Sequence, residues 1–395
     1  FKGQRLLTGK HRIHPYPAMM HPKLASFLLA RYAKQGAKVL DPFCGSGTVL
    51  LTAQEMSLDS TGFDINPLAL IIADAKTTNY DSSKLQDDIE SFKEYVGGTS
   101  EVSVPVIKNI DFWYGESVIS ELGRMRHVLQ NQSFHYPHFL TVVFANVCRT
   151  SSYTRNSEFK RYRETIDKRV RAPGSVIDTM FARLDETQSL FNNNVNSPGS
   201  VKIQLRNSEN EFNTSNHFDI VVTSPPYGDH GTTVAYGQYS SFGNEWTELL
   251  NPFNTISYTV DSEGLGKNQP LTIDVEHFPH LRSTLREIEK LRPDRARDIT
   301  LFFNGYLKVI SNVSQSLADA GYVCFVVGNR QVASTEIPLD QITAEIFEYL
   351  GLDIVNIHCR EITNKVMPLK NSPQNIRGKK SKTMTDEYVV VAQKV

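Results

Sequence analysis

Two short blocks of the sequence carry side chains whose types and spacing could do chemistry together. The first, Asp41-Pro-Phe-Cys-Gly-Ser-Gly-Thr48, follows the apolar pair Val39-Leu40. The second, Thr223-Ser-Pro-Pro-Tyr227, follows Ile220-Val-Val222. A short apolar run bounded by turn residues is typical of a buried strand in a parallel sheet. We therefore expect both blocks at the carboxyl ends of strands, where α/β proteins bind their ligands.

The turn made of Ser224, Pro225, Pro226 and Tyr227 could hold a planar amine. Neither proline has an N–H, so the pair stops any helix or strand ladder and leaves carbonyl oxygens free to accept hydrogen bonds. The Ser224 hydroxyl adds an acceptor, and the Tyr227 ring adds a surface for stacking. An isolated Pro-Pro-Tyr turn is more often only a rigid strand end. The interpretation of this turn as a binding site for an amine therefore depends on the other blocks.

Gly45 and Gly47 form a Gly-x-Gly turn between the first predicted strand and a helix that begins near Thr48. Glycines let the backbone approach a ligand where a Cβ would block it. The block lacks the Gly-Lys-Ser/Thr of a phosphate-binding Walker loop and the full dinucleotide fingerprint. Asp41 at the strand end would repel a pyrophosphate, so it favours a cationic ligand such as an α-amino group beside a sulfonium.

Asp64 ends a second predicted strand, residues 60–64, about twenty residues further on, which is the spacing expected of a ribose-binding acid. An acid at this place commonly accepts hydrogen bonds from the ribose hydroxyls of an adenosine cofactor. Ile65 would then flank the adenine ring. The alternative is that Asp64 caps the helix predicted over residues 68–75.

The remaining patterns predict an interrupted α/β core. A helix is expected after His21-Pro22, with Leu24, Phe27, Leu28 and Tyr32 at helical spacing. Further strands are predicted at residues 201–206, 219–223 and 322–329, and a hairpin at 353–361 and 387–393. Core helices are predicted at 301–320 and 342–350. Residues 80–200 are predicted to be helical, with helices at 83–96, 115–129, 138–148 and 176–191, and an irregular second insertion ends in a basic helical stretch at 282–297.

Residues 149–171 form a basic segment with eight Lys or Arg and three Asp or Glu, interleaved with three aromatic residues. Such a pattern is typical of a surface that follows phosphates and stacks on bases. A solvated helix face is the competing interpretation. The formal net charge of −1 gives no basic character to the whole chain, so a nucleic-acid surface requires this kind of local clustering. The candidate DNA-binding residues here are Arg155, Lys160, Arg161 and Arg163, with Asn364, Lys365 and Lys370 as helpers.

Composition places the chain among ordinary globular proteins, with 40% apolar and 22% charged residues in 395. No apolar run reaches the length of a membrane span, and the first residues show no signal-peptide core. The four cysteines, Cys44, Cys148, Cys324 and Cys359, form no Cys-x-x-Cys pair. We therefore expect reduced thiols, no structural zinc and a cytoplasmic, nucleoid-associated location in a bacterium or archaeon.

Together these blocks resemble the amino-methyltransferases of DNA that use S-adenosylmethionine. The Ser-Pro-Pro-Tyr form is similar to the cytosine-N4 group of bacterial restriction-modification methylases, whereas adenine-N6 enzymes more often place Asp or Asn before Pro-Pro-Tyr. The resemblance extends to residues 14–22, the C-terminal strands and three further strings. Those strings are Thr233-Val-Ala-Tyr-Gly-Gln238, Val327-Gly-Asn-Arg330 and Asn364-Lys-Val-Met-Pro-Leu-Lys-Asn-Ser-Pro373.

This resemblance implies an α/β fold, the Rossmann-like class I methyltransferase fold, with a mostly parallel sheet, a C-terminal antiparallel hairpin and a helical insertion. It implies S-adenosylmethionine as cofactor, S-adenosylhomocysteine as product and no metal. The third-strand turn has Asn207 where relatives usually place an acid near the adenine amine. The implied cofactor site is His14, Tyr16, Pro17, Asp41, Phe43, Gly45, Gly47, Thr48, Asp64, Ile65 and Asn207.

The sequence patterns and the resemblance together divide the chain into five segments. Residues 1–79, 201–228 and 299–395 are expected to form the catalytic core. Residues 80–200 are a helical insertion expected to recognise the DNA target, and residues 229–298 are a second insertion expected to contact DNA. The expected partners are double-stranded DNA and a restriction endonuclease acting on the same site, with no membrane.

The expected reaction is methyl transfer to the exocyclic N4 of cytosine in duplex DNA. Ser224 and the Pro225 carbonyl would accept hydrogen bonds from the amine and pull its nitrogen toward tetrahedral geometry, and Tyr227 would stack on the flipped base. The turn has no cysteine, which cytosine-C5 methylation would need as nucleophile. Three alternatives stay open: methylation of adenine-N6, methylation of an RNA amine, and a non-catalytic DNA-binding protein with this fold.

Overall fold

The chain is described by a computed structural model that covers residues 9–156, 158–165, 174–191, 198–212, 217–228, 234–253, 260–267, 270, 272–362, 370–371, 381–382 and 385–395. The strands are β1 (Lys38–Asp41), β2 (Asp59–Asp64), β3 (Val201–Leu205), β4 (Phe218–Thr223), β5 (Leu317–Val327), β6 (Arg330–Val332), β7 (Thr335–Ile337), β8 (Leu352–Glu361), β9 (Lys370–Asn371), β10 (Ser381–Lys382) and β11 (Asp386–Lys394).

The helices in the described residues are α1 (Pro22–Tyr32), α2 (Thr48–Glu55), α3 (Pro67–Thr77), α4 (Ser82–Gly98), α5 (Ile110–Trp113), α6 (Glu116–Asn131), α7 (Pro137–Thr150), α8 (Val176–Gln188), α9 (Tyr236–Trp246), α10 (Pro279–Leu291), α11 (Pro293–Ser316) and α12 (Leu339–Tyr349). Short 3₁₀ turns lie at Gly9–Arg12, Ser189–Phe191, Val260–Ser262 and Val275–His277.

A seven-stranded sheet in the order β3-β2-β1-β4-β5-β11-β8 is the centre of the fold. The first five strands in that order are parallel to their neighbours, and β11 is antiparallel to both β5 and β8. The predicted mostly parallel sheet with a C-terminal hairpin is confirmed. Because β1 and β4 are adjacent, their carboxyl ends bring Asp41 and Thr223 to the same edge of the sheet.

The central strands are apolar on both faces because helices cover both faces. On one face, Val39, Ile220 and Val222 pack with residues of α1 and α2. On the other face, Leu40 and Val221 pack with α10, α11 and α12. The alternation along each strand therefore divides one apolar run between two hydrophobic cores, as expected for a parallel sheet.

Local capping sets where several helices begin. The Asn66 side chain accepts a hydrogen bond from Leu68 N at 3.2 Å, and Pro67 occupies the first turn of α3. Asp81 caps α4 by accepting from the amides of Ser83 and Lys84. Side-chain acceptors of this kind satisfy N–H groups that a helix start leaves unpaired.

The helical insertion shares its hydrophobic core with the sheet domain. Buried residues of α4, α6, α7 and α8 form one cluster with residues of α3 and α9. Trp246 of α9 is fully buried in this cluster and contacts the rings of Tyr114 and Phe144. The helices predicted over residues 80–200 are confirmed. Their buried residues pack in one cluster with those of α3, the helix that follows β2.

The predicted bounds of two helices are wrong. The predicted helices at 282–297 and 301–320 are instead α10 and α11, which divide at Pro293 because proline cannot continue the preceding helix. Residues 317–320 belong to β5, where Leu317 pairs with Phe218. The helix predicted after His21-Pro22 is confirmed as α1, in which Leu24 and Leu28 are buried and Phe27 is 51% exposed.

The basic segment after α7 is not helical in its described part. Residues 151–156 and 158–165 form an irregular loop that is closed by an isolated antiparallel bridge between Thr154 and Arg163. The interpretation of these residues as a solvated helix face is therefore wrong. No helix in the described part of the chain is long and apolar enough to cross a membrane.

Candidate active site

One pocket lies at the carboxyl ends of β1, β2, β3 and β4, the edge of the sheet at which the two sequence blocks meet. The structure brings most of the predicted cofactor and catalytic residues to its walls. The predicted residues that line it are Tyr16, Pro17, Asp41, Phe43, Gly45, Thr48, Asp64, Ile65, Asn207, Ser224 and Pro226.

Asp41 is the buried acid that joins the two blocks. Its Oδ1 accepts a hydrogen bond from Thr223 Oγ1 at 2.6 Å and another from Phe43 N at 3.1 Å. No donor in the described residues contacts Oδ2. Burial raises the pKa of Asp41 to about 7, although the two hydrogen bonds oppose this rise. The pocket therefore contains a buried carboxyl group with one oxygen that is available to a cationic or hydrogen-bonding ligand.

Asp64 organises the glycine turn from the neighbouring strand. Its Oδ2 accepts from Gly45 N at 2.9 Å, and its Oδ1 accepts from Asn66 N at 2.8 Å. Burial raises the pKa of Asp64 to about 6. The helix-cap alternative for Asp64 is wrong, because the Asn66 side chain caps α3. Asp64 lines the pocket, so its remaining lone pairs can accept from a ligand.

Gly47 has a structural place in the turn and does not line the pocket. Its φ of 75° lies in the left-handed region, and a Cβ there would lie 2.6 Å from Ala73 Cβ of α3. Glycine thus allows α2 and α3 to pack closely beside the turn. Gly45, with a φ of 47°, does line the pocket.

The N-terminal segment covers the pocket through Tyr16. The Tyr16 hydroxyl accepts from Asn66 Nδ2 at 2.9 Å, and its ring stacks on Tyr236 of α9 with 6.0 Å between ring centroids. His14 is buried but lines a second cavity with Arg12 and Asn146 instead of this pocket. The structure therefore separates His14 from the other predicted cofactor residues.

The Ser-Pro-Pro-Tyr turn is connected to the C-terminal hairpin. Ser224 Oγ and Tyr227 Oη lie 3.2 Å apart, and the Tyr227 hydroxyl donates to Glu387 Oε1 at 3.4 Å. Arg360 of β8 donates to the other oxygen of Glu387. Burial raises the pKa of Tyr227, so this hydroxyl keeps its hydrogen near neutral pH. Of the four residues of the turn, Ser224 and Pro226 line the pocket.

Glu387 and Arg360 are residues that sequence reasoning missed. They lie in strands of ordinary composition, and Glu387 is 160 residues from Tyr227 in the chain. Only the pairing of β11 with β8, which places Glu387 opposite Arg360, makes the pair visible. A charged residue in each strand of the predicted hairpin was the available signal.

The second insertion forms part of the pocket wall, which the sequence patterns did not predict. Val260, Asp261 and Leu265 line the pocket together with Tyr236. Asp261 accepts hydrogen bonds from Gly237 N at 2.8 Å and Gln238 N at 3.0 Å, at the start of α9. The start of α9 and the segment that contains Asp261 therefore hold each other beside the pocket.

The predicted DNA-binding residues differ in how much of their charge is available. Lys160 is exposed, and Arg155 lies 3.8 Å from Glu158 in a half-exposed pair. Arg161 lies over the Phe242 ring at 3.9 Å and contacts Glu245 at 3.4 Å, and Arg163 lies over Phe112 at 3.9 Å. Asn364 and Lys365, and the side chain of Lys370, lie outside the described residues.

The walls of the pocket fit S-adenosylmethionine. The free oxygen of Asp41 suits an ammonium group, Asp64 suits ribose hydroxyls, and Ile65, Phe43 and Tyr16 offer apolar and aromatic surface for an adenine. The open backbone at Gly45 lets a ligand approach closely.

Comparison with known proteins agrees with this site. Residues 2–74 match a family model described as DNA methylase. The chain is 34% identical over 411 residues to the Type II methyltransferase M.MvaI of Kocuria varians, an alignment that covers 96% of this chain and 90% of that protein. It is 23% identical over 380 residues to the Type II methyltransferase M.BsoBI of Geobacillus stearothermophilus, covering 82% and 74% of the two chains. A SAM-dependent methyltransferase from Methanosarcina mazei aligns over 97% of this chain and 99% of its own with 10% identity and a TM-score of 0.33.

The methyl donor is S-adenosylmethionine, and the substrate is DNA. The alignment to M.MvaI covers 96% of this chain, so it includes both sequence blocks and both insertions. The chain belongs to the Type II DNA methyltransferases of restriction-modification systems.

Proposed function

We propose that the chain transfers a methyl group from S-adenosylmethionine to the exocyclic N4 of cytosine in duplex DNA. The observation that carries this proposal is the hydroxyl at position 224, which stands where a carboxylate or amide precedes Pro-Pro-Tyr in many adenine-N6 enzymes. Ser224 lines the cofactor pocket, and the residue before it is hydrogen-bonded to Asp41.

The contacts of Ser224 support its role as a hydrogen-bond acceptor. The Tyr227 hydroxyl has one hydrogen, which goes to Glu387. The bond between Ser224 and Tyr227 must then use the hydrogen of Ser224. Ser224 Oγ consequently presents lone pairs to the pocket, which is what an amine N–H requires. The carboxylate of Glu387 thereby sets the direction of both hydroxyls.

The proposed mechanism uses the chain to activate and position a poor nucleophile. The N4 lone pair of cytosine is delocalised into the ring, and acceptors at Ser224 Oγ and the Pro225 carbonyl would draw the two N–H groups out of that plane. When bound, S-adenosylmethionine supplies an electrophilic methyl group on a sulfonium. Holding the amine in line with that methyl group supplies much of the acceleration by proximity and orientation. Tyr227 is proposed to stack on a cytosine flipped out of the duplex.

Specific roles in the cofactor site are part of the proposal. Asp41 would bind the donor's ammonium through the oxygen that has no donor in the described residues, and Asp64 would accept from the ribose. Ile65, Phe43 and Asn207 would surround the adenine. The other proposed contacts are Tyr16, Pro17, Gly45 and Thr48, which line the same pocket.

The proposed DNA surface is centred on the basic loop after α7. Arg149 fixes this loop to α9 by donating to Tyr239 O at 3.0 Å and to Glu158 O at 2.8 Å. The anchored loop displays Lys160, Phe159 and Tyr162 as exposed side chains. We propose that this loop follows the phosphate backbone, that residues 80–200 recognise the target, that residues 229–298 contact DNA, and that a cognate endonuclease cuts the same site.

Mass spectrometry of nucleosides tests the target base directly. Plasmid DNA is methylated with purified protein and labelled donor, digested to nucleosides, and compared with a parallel reaction on total tRNA. The proposal requires N4-methylcytosine in the DNA sample and no label in RNA. N6-methyladenine in the DNA sample would overturn the cytosine assignment but keep the enzyme class. Label in RNA alone would overturn the DNA substrate.

A further inference from the structure

Lys76 is a fully buried lysine that the reaction described above does not use. It lies near the end of α3 with no exposed surface. In the described residues no carboxylate lies within ion-pair distance of its Nζ. Burial alone lowers the pKa of Lys76 to about 7. A buried ammonium without a counter-ion is costly, so its presence calls for a compensating interaction.

The two contacts of Lys76 both lead to the cofactor pocket. Nζ donates to Ser46 Oγ at 3.1 Å and lies 3.9 Å from Met19 Sδ. Ser46 and Met19 both line the pocket, Ser46 from the glycine turn and Met19 from the N-terminal segment. Lys76 therefore lies directly behind the pocket wall and contacts it from two sides.

The hydroxyl of Ser46 is left as a donor toward the pocket side. Because Ser46 Oγ accepts from Lys76, its own hydrogen is not used in that bond, and no acceptor for it exists among the described residues. A cation bound to the oxygen makes this hydrogen a stronger donor. The best partner for such a donor is an anion.

The start of α2 adds positive potential at the same place. Gly47 caps this eight-residue helix without any side-chain hydrogen bond, and its first turn has no acidic residue. Thr48 and Val49 of that turn line the pocket. The unpaired N–H groups and the dipole at a helix N-terminus favour negative charge. Lys76, Ser46 and α2 therefore create one anion-favouring corner of the pocket. The other charged residues that line it are Asp41, Asp64, Arg206, Asp261 and Glu263.

We propose that Lys76 is a positioning residue for the carboxylate of the methyl donor and acts through the Ser46 hydroxyl. The amino-acid end of the donor carries one ammonium and one carboxylate. Asp41 suits the first and the corner at Ser46 suits the second, so the two charges would bind at two different places in the connection between β1 and α2. The inference concerns the cofactor pocket and holds whether the target base is cytosine or adenine.

Calorimetry without DNA tests this assignment with three ligands. S-adenosylhomocysteine carries both charges, decarboxylated S-adenosylhomocysteine carries only the ammonium, and 5′-methylthioadenosine carries neither. Lys76→Met removes the charge while keeping a long apolar side chain. We expect this variant to lower the affinity for S-adenosylhomocysteine by on the order of tenfold to a hundredfold, which is the usual effect of losing a hydrogen bond to a charged group. Binding of the other two ligands should change by less than about twofold.

Two further variants make the test independent of folding problems. Ser46→Ala removes the intermediate hydroxyl but keeps Lys76, and it should show the same selective loss. Thr77→Val is the matched control, since among the described residues the Thr77 hydroxyl bonds only to the carbonyls of Ala73 and Asp74 in α3. It should leave all three affinities unchanged.

The melting temperature of the free protein distinguishes a positioning role of Lys76 from a role in supporting the fold. Removing an uncompensated buried charge should leave the melting temperature of Lys76→Met equal to or higher than that of the unmodified protein. If Lys76→Met and Ser46→Ala lowered the affinities for all three ligands equally, the proposal would be overturned in favour of a structural role. Unchanged binding of S-adenosylhomocysteine in either variant would overturn it as well.

Discussion

Thr223 Oγ1 donates a 2.6 Å hydrogen bond to Asp41 Oδ1 across 182 residues of sequence. The bond joins the last residue of β4 to the last residue of β1. The strand that leads into the Ser-Pro-Pro-Tyr turn therefore also holds Asp41 of the cofactor pocket in place. A substitution of Thr223 should therefore lower the affinity for the cofactor, although the residue belongs to the Thr-Ser-Pro-Pro-Tyr block.

Thr223→Val removes this donor while keeping the shape of the side chain. The carboxylate of Asp41 loses one of its two hydrogen bonds, so the pKa of Asp41 should rise further above its ordinary value. Affinity for S-adenosylmethionine at pH 7 should fall by roughly tenfold, measured by calorimetry. Thr223→Ser keeps the hydroxyl and serves as the control. Equal affinity of the valine and serine variants at pH 7 would contradict the link.

Cofactor binding should depend on pH through Asp41. Burial raises the pKa of Asp41 from 3.8 to about 7 in the free protein, and a bound ammonium would favour the ionised form. Affinity should then increase as the pH rises toward 7 and level off above it, with proton release on binding. Calorimetry at pH 6 in buffers of different ionisation enthalpy measures that release. Proton uptake would contradict the assignment.

The raised pKa of Asp41 also affects the stability of the fold. As the pH rises, the free energy of unfolding should fall, whereas the affinity for the cofactor should rise. A carboxyl group whose pKa is raised by folding stabilises the fold fully below its unfolded pKa of 3.8, and this contribution is lost as the pH rises to about 7. Asp64, with a pKa of about 6, acts in the same direction. Asp41→Asn should therefore flatten the loss of stability between pH 4 and pH 7, measured by denaturant unfolding. Asp219→Asn is the control, since Asp219 is exposed at the other end of the sheet.

Ser224→Ala should impair the chemical step and spare cofactor binding. The variant loses one acceptor for the target amine, and loss of one oriented hydrogen bond in a transition state costs about 100-fold in kcat or more. The affinity for S-adenosylmethionine should change by less than about twofold. Tyr227→Phe keeps the ring and removes the hydroxyl, so it separates stacking from hydrogen bonding. Undiminished single-turnover rates in Ser224→Ala would remove Ser224 from the mechanism.

Glu387→Gln should reverse the hydrogen bonds of the turn. Arg360 donates to residue 387 and would select the amide oxygen, so the amide nitrogen would face Tyr227 and donate to it. Tyr227 would then donate to Ser224, whose own hydrogen would be released toward the pocket in place of a lone pair. We expect kcat to fall by roughly tenfold to a hundredfold with unchanged cofactor affinity. Full activity of Glu387→Gln, with Glu387→Ala as comparison, would show that Glu387 does not orient the turn.

Lys160→Ala should weaken DNA binding through lost phosphate contact. Removing one such contact lowers the slope of log affinity against log salt by about 0.9. Lys34→Ala is the control, because Lys34 is exposed just before β1, at the end of the sheet opposite the pocket. Fluorescence anisotropy with a labelled duplex over a range of salt concentrations measures both slopes. Equal slopes for the two variants would exclude a phosphate contact at Lys160.

The sequence alone was enough to predict the sheet and the location of its site. Apolar runs that end in Asp41, Asp64 and Thr223 have the pattern of parallel strands, and parallel strands place their carboxyl ends at one edge. Turn chemistry is equally local, because proline removes N–H groups and glycine permits a left-handed backbone wherever they occur. Those are properties of single residues and their immediate neighbours.

Tertiary structure alone decided which side chains support the site. Glu387 reaches Tyr227 because β11 pairs with β8, Lys76 reaches Ser46 because α3 packs beside the glycine turn, and Tyr236 reaches Tyr16 from the second insertion. It also placed His14 in another cavity and turned Arg161 onto an aromatic ring. These contacts join residues far apart in the chain, and their energy arises from burial and from the fit between packed elements, which no local pattern of residue types records.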